Sequence, residues 1–447
     1  MMKNKLNIQL KNRHLQMIAL GGMIGTGLFL TTAKTIHLTG PSLILSYLIC
    51  GFVIYIILRS LGEMTVHNPK PGSFSEYANQ YLGSYAGYLS GWSAWFEYTM
   101  VSMAELTAVS ILFDYFLPTQ HWELCLVLLI VFTCINFLNV KVFGEVEFWL
   151  SSIKIFVILS MLIFSAYLLL FKHALNPEIL TYKKMNLFFA GGLHAFLVSL
   201  VLVIFSFGGS EFVAIAGAET VNPQKNIPIA IKGIILKILF FYIFTILMII
   251  LLYPYTKLAT NISPFVDVFK KIGFSSASSI LNIVAISAAL SSFNSTIYSG
   301  SRMLYNLSKN RHAPNILSKI NSHGIPHYAI ITTSFFIGIA IIINYIWPEK
   351  AFFYLMTITT SIMLIVWLII LITQFRFRKE IQKQNIKLKY QSIFFPYANI
   401  LVMLILFGFM VIMTQIKEMA YAVYVTPIWI LLLTIFYFIK KVISSSN

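Results

Sequence analysis

Residues Ala19-Leu20-Gly21-Gly22-Met23-Ile24-Gly25-Thr26-Gly27-Leu28-Phe29 decide the fold of this chain. They lie in the middle of an apolar run, about 15–36, long enough to cross a bilayer as a helix. Gly21, Gly22, Gly25 and Gly27 each cost about 1 kcal/mol against alanine in a helix interior. Their use is to let the backbone unwind. Freed N–H groups and the N-terminus of a half-helix would then face an anionic group, with Thr26 adding a hydroxyl. Gly21 and Gly25 also form the GxxxG spacing of closely packed membrane helices, so alone the stretch reads equally as a packing face.

A second break shifts that balance. Phe205-Ser206-Phe207-Gly208-Gly209-Ser210-Glu211 interrupts another apolar run. Counting such runs gives twelve candidate spans, at about 15–36, 42–62, 84–113, 122–139, 150–171, 190–217, 228–253, 276–305, 328–347, 351–375, 395–416 and 420–439. The breaks fall in the first and sixth, matching members of two sets of five. Paired glycine interruptions of this kind point to a midplane site between inverted repeats. The expected architecture is an all-α integral membrane protein of twelve helices, one polytopic domain over residues 1–447. Its first repeat covers about 15–172, its second about 190–375, and two further helices about 395–440.

Composition agrees. Of the 447 residues, 58% are hydrophobic and 11% charged, where a soluble domain carries about 25% charged residues. The apolar runs are long and unbroken rather than short and alternating, which excludes a β-barrel. The net charge of +17 does not point to nucleic acid, because it is distributed by side: with the N-terminus inside, 23 of the 32 Lys and Arg fall on the cytoplasmic face. A multi-pass protein of the cytoplasmic membrane with both termini cytoplasmic is expected, its basic helix ends suited to anionic lipid. The first apolar run lacks a cleavage site and reads as a retained helix. Cys50, Cys125 and Cys134 give neither a disulfide framework nor a zinc site. Without a soluble domain, nucleophile–base pair or metal cluster, the chain reads as a carrier or channel, not an enzyme, and needs no cofactor.

Ionisable residues inside spans mark function by default, since each costs about 2.5–3.5 kcal/mol at the bilayer centre. Glu211, next to the second break, is a candidate proton carrier or a structural acid tied to loose backbone. Glu97 and Glu105 are eight apart and face one side of a helix; Glu97 reads as structural. Lys154 either snorkels from the fifth span or places a fixed charge where a sodium ion would sit. Ser287, Ser291, Ser295 and Ser299 form a stripe better read as a packing face. Ser73, three residues before Glu76, predicts a capping box opening a short surface helix over 74–82.

These stretches resemble the amino acid–polyamine–organocation superfamily, in its bacterial amino acid permease branch. The likeness runs from Asn12-Arg13-His14 to Gln374-Phe375-Arg376-Phe377-Arg378. It includes Gly91-Trp92, Met103-Ala104-Glu105-Leu106-Thr107-Ala108, Lys141-Val142-Phe143-Gly144-Glu145, Glu147-Phe148-Trp149 with Lys154, Glu219, Asn222-Pro223 and Ser301-Arg302-Met303-Leu304-Tyr305. The resemblance implies a leucine-transporter-like 5+5 fold and proton symport of an amino acid by alternating access. The first-span motif would hold the substrate carboxylate at Ile24, Thr26 and Gly27. Carbonyls near Phe205, Ser206 and Gly208 would meet its amino group, Phe205 would gate the pocket, and Ser210 would bear on side-chain fit. Lys154 would replace sodium, leaving the proton as coupling ion through Glu211, Glu105 and Lys154. The Gly-Gly-x-Glu form is most similar to carriers of neutral, including aromatic, amino acids. An amino acid exchanger and a permease for cationic amino acids are the alternatives.

Overall fold

The computed structural model of the chain describes residues 6, 8–25, 32–117, 120–177, 188–255, 277–346 and 348–445. Among the described residues the protein is helical, apart from one isolated parallel bridge joining Leu10 to Thr220. Seven helical stretches among the described residues are long and apolar enough to cross a membrane, with shorter apolar helices between them.

Helix α1 (Asn12–Met23) stops at the glycine run, and α2 (Thr32–Thr39) continues beyond it. α3 (Leu43–His67) leads through Pro69 to Gly72 into α4 (Ser73–Leu82), then α5 (Ser84–Phe113), α6 (His121–Phe137) and α7 (Val140–Phe171). α8 (Gly192–Phe205) and α9 (Phe212–Gly217) flank the second break. α10 (Pro223–Leu252), α11 (Ala277–Lys309), α12 (His327–Ile337) and α13 (Ile339–Ile346) follow, then α14 (Pro348–Lys383), α15 (Tyr397–Gln415) and α16 (Lys417–Ser445).

Several boundaries differ from expectation, two of them because a cap or a polar turn extends the helix past its apolar stretch. α7 opens at Val140 rather than near 150, since the Asn139 side-chain oxygen accepts the Val142 N–H at 3.0 Å. α14 runs on to Lys383 through the basic residues after 375. The capping box at Ser73 does not form. The left-handed Gly72 takes the N-cap position (φ +80°), and the Ser73 hydroxyl is buried without a hydrogen-bond partner. Glu76 turns instead to Lys70 at 3.2 Å and to Asn310 at 2.6 Å.

α11 packs along α5 and also against α7 and α1, so these helices form the centre of the molecule. α7, α15 and α16 present large apolar side chains outward, among them Phe156, Ile163, Phe407, Leu431 and Phe436, as a lipid-facing surface requires. One end of the bundle is closed by polar ties. Arg302 Nε reaches Glu219 Oε1 at 2.9 Å in a buried ion pair that also takes the Tyr298 hydroxyl at 2.8 Å. At the same end the Gln9 and Leu10 N–H groups donate to the Glu219 carbonyl, and Val221 N–H donates to Leu10. Arg13 and His14 bind Glu145.

Candidate functional site

The two glycine breaks meet. After Phe205, the N–H groups of Ser206, Phe207 and Gly208 bond three residues back, a tightening that ends at Gly209 with φ +83°. A Cβ on Gly209 would lie 2.9 Å from the Gly22 carbonyl oxygen, and one on Gly22 would lie 3.1 Å from the Gly209 oxygen. Backbone therefore touches backbone where the breaks cross, and only glycine permits it. Gly21 and Gly25 serve another purpose than helix packing. A Cβ on Gly21 would strike Glu147, Ser151 and Ser291, and one on Gly25 would come within 2.6 Å of Glu105 Oε1. These glycines make room for polar side chains of other helices.

Lys154 does not snorkel. It is fully buried, and its Nζ donates to the carbonyls of Gly21 (2.7 Å) and Ile24 (2.8 Å) and to Ser291 Oγ (3.0 Å). An ammonium has three donors, and all three are used. Behind it stands Glu147, also fully buried. Its carboxylate accepts from Ser291, from Ser151 at 3.0 Å and from Asn294 at 3.3 Å. Ser291 thus links the two charges: it accepts from Lys154 and donates to Glu147.

A second tie crosses both breaks. The Tyr242 hydroxyl of α10 lies 3.0 Å from the Met23 carbonyl and 3.2 Å from the Ser206 carbonyl, its one hydrogen serving them in turn. Tyr47 stacks on its ring at 4.9 Å, and Phe207 packs against both. Tyr242→Phe is expected to release both carbonyls and weaken uptake about two- to tenfold, from a net hydrogen-bond contribution of about 0.5–1.5 kcal/mol. Initial-rate uptake across substrate concentrations measures this; an unchanged KM and kcat would deny the tie a role.

Between the breaks lies a narrow cavity of about 20 Å³, room for a water molecule rather than for an amino acid, so a substrate enters only when the walls part. From α1 and its break it takes Gly22, Met23 and Gly25; from the second break it takes Phe205, Ser206, Gly208 and Gly209. α5 contributes Glu97, Tyr98, Val101 and Glu105, while Phe212, Ser292, Thr359 and Met363 close it. Phe205, Ser206, Gly208 and Glu105 thus come together around one space. Ile24 does not line it; its carbonyl turns to Lys154. Ser210 is also outside the lining, its hydroxyl 3.3 Å from Glu211 Oε2. Glu211 is fully buried behind the wall, beside Tyr98 and Trp367. Thr26 and Gly27 lie outside the described residues. The serine stripe is divided in use: Ser291 serves the charge relay, and its neighbour Ser292 faces the cavity. Among the described residues no group of three or more His, Cys, Asp or Glu could hold a metal ion.

The lining combines backbone of the two breaks with a partly aromatic, apolar wall. The family model described as amino acid permease matches residues 14–444. The aromatic amino acid transport protein AroP of Escherichia coli (strain K12) is 40% identical over 438 residues, covering 97% of this chain and 95% of that protein. AroP of Salmonella typhimurium (strain LT2) is 39% identical over 435 residues, with the same coverage of 97% and 95%. The amino-acid permease AapA of Bacillus subtilis (strain 168) is 39% identical over 443 residues, again covering 97% and 95%.

Proposed function

Because the chain belongs to the amino acid permease family, we propose that it imports a neutral, aromatic amino acid by proton symport across the cytoplasmic membrane. The observation that carries this reading is the cavity at the crossing of the two breaks, which receives backbone from both. The substrate's carboxylate is held at the first break, at Thr26 and Gly27, and its amino group at the carbonyls around Ser206; Ile24, with its N–H and carbonyl both engaged, only shapes the break. Aromatic specificity is supported by Phe205, Phe212, Tyr98 and Met363 in the wall, and by relatives named as aromatic amino acid transport proteins.

Twelve spans in a 5+5 inverted arrangement, with α15 and α16 added, account for the paired breaks, and both termini lie on the cytoplasmic side with most of the Lys and Arg. Alternating access then opens and closes the end tied by Glu219 and Arg302. Lys154 supplies a fixed positive charge at the first break, and the coupling proton resides on an acid, with Glu211 and Glu105 the candidates. A membrane potential of about 100 mV moves one charge with about 2.3 kcal/mol, close to fiftyfold accumulation, so a single proton suffices.

The test is uptake of labelled tryptophan, tyrosine and phenylalanine into proteoliposomes under an imposed pH gradient, with no internal substrate. Accumulation is expected with the gradient and collapse without it. Uptake that required internal amino acid and ignored the gradient would make the protein an exchanger. Glu211→Gln is expected to abolish gradient-driven accumulation while leaving exchange measurable; full accumulation by this variant would move the proton elsewhere.

A further inference from the structure

Glu97 is the residue that this site has not yet explained. It lies on α5 with 1% of its surface exposed, it lines the cavity, and its Oε2 is buried without a hydrogen-bond partner. A buried carboxyl oxygen without a hydrogen bond is expensive, the more so in a membrane span. The ionisable side chain that bears on it electrostatically is another acid, Glu211. Lys154, the buried cation of the site, has committed its three donors at the first break. The chain therefore presents an unpartnered acceptor to the cavity, beside the unpartnered hydroxyls of Tyr98, Ser206 and Thr359.

Position gives that acceptor its meaning. Glu97, Val101 and Glu105 recur at four-residue spacing, one face of α5, and all three line the cavity. Glu105 meets the cavity at Gly25, the first-break end; Glu97 lies two turns away, about 12 Å along the helix. If the constant end of an amino acid is held at the breaks, Glu97 stands at the far end of its side chain. The wall between is apolar and partly aromatic, from Phe205, Phe212 and Met363.

We propose that Glu97 is a specificity-determining residue that accepts a hydrogen bond from the tip of the substrate's ring, so the substrate is an aromatic amino acid bearing a ring N–H or O–H. Tryptophan, tyrosine and histidine have such a donor; phenylalanine does not. A site built to hydrogen-bond a substrate donor rejects the analogue lacking it, because the site's polar group is then left unpaired. This rests on the amino acid reading above and narrows it.

Proteoliposome uptake of labelled tryptophan, tyrosine, histidine, phenylalanine, leucine and lysine tests the inference. In the wild type, at least one of the three donor-bearing substrates should exceed phenylalanine at least tenfold in kcat/KM. Glu97→Leu should erase most of that margin, chiefly by improving phenylalanine, whereas Glu97→Gln, whose amide oxygen still accepts, should keep it. The gain for phenylalanine is a readout that a merely misfolded variant cannot produce. Phenylalanine or leucine handled as well as the best donor-bearing ring overturns the proposal. So does lysine as the preferred substrate, or a selectivity order unchanged in Glu97→Leu. Absence of uptake for every amino acid would instead remove the amino acid reading itself.

Discussion

Gly209→Ala is expected to abolish transport, at least a hundredfold in uptake rate, in a protein that still inserts and purifies as a monodisperse species. Two costs fall on this one methyl. The backbone sits at φ +83°, where a side chain costs about 1–2 kcal/mol. The added Cβ would also press on the Gly22 carbonyl at 2.9 Å and on the Phe212 ring at 2.9 Å. Backbone cannot swing aside as a side chain can, so the two breaks must part and the cavity between them must deform. Two controls separate the causes. Gly192 has φ +70° with nothing within 4 Å of a Cβ, so Gly192→Ala carries strain alone. At Gly208 a Cβ would meet the flexible Met363 Sδ at 3.1 Å and the Phe205 carbonyl at 3.2 Å, so Gly208→Ala tests crowding without the left-handed backbone. Each control should lose less than tenfold. Near-normal uptake in Gly209→Ala would mean that the breaks need not touch during transport.

Removing Lys154 should be the second severe change. Lys154→Ala leaves the carbonyls of Gly21 and Ile24 without their donor and Glu147 without its cation, deep in the protein. Breaking a buried charge pair by deleting one partner costs about 3–5 kcal/mol. The detergent-solubilised variant should melt at a clearly lower temperature and accumulate no substrate. Glu147→Leu should be damaging for the complementary reason, a buried ammonium without its counter-charge. The double variant Lys154→Met, Glu147→Leu should recover part of the thermal stability but none of the gradient-driven uptake. That split distinguishes a Ser291-bridged pair of charges kept for transport from one kept for folding. Full recovery of both would reduce the pair to a structural role.

Much of the membrane architecture is legible in the residues because hydrocarbon imposes long apolar runs on them, and the breaks are legible because glycine is costly in a helix. Phe205, Ser206 and Gly208 could be named because they lie on the second break, and Glu105 because an acid inside a span marks itself. Tyr242 could not. Its role depends on α10 passing both breaks, and one tyrosine among 23 carries no mark of that. Glu147 did leave a trace: Glu147, Ser151 and Lys154 fall at i, i+4 and i+7 on one face of α7, a polar stripe in an apolar helix. The stripe goes unnoticed when α7 is taken to start near 150, because the apolar count trims away the turns that the Asn139 cap secures. Ser73 shows the opposite error. A pattern that suits a capping box is overridden by Gly72, whose left-handed backbone starts the helix one residue earlier.

In the proposed alternating-access cycle, the short pairing of residues 9–10 with 219–221 would bias the resting state. Three backbone hydrogen bonds join the N-terminal segment to the end of α9, the helix that resumes after the second break. At about 1 kcal/mol net each, they favour the sealed form by about 3 kcal/mol, or more than a hundredfold in population. In an idle membrane, then, few molecules at a time would stand open at this end. With this end cytoplasmic, as proposed, Gln9 and Leu10 would hold down leakage of the cell's own pool as much as anything in the cavity does.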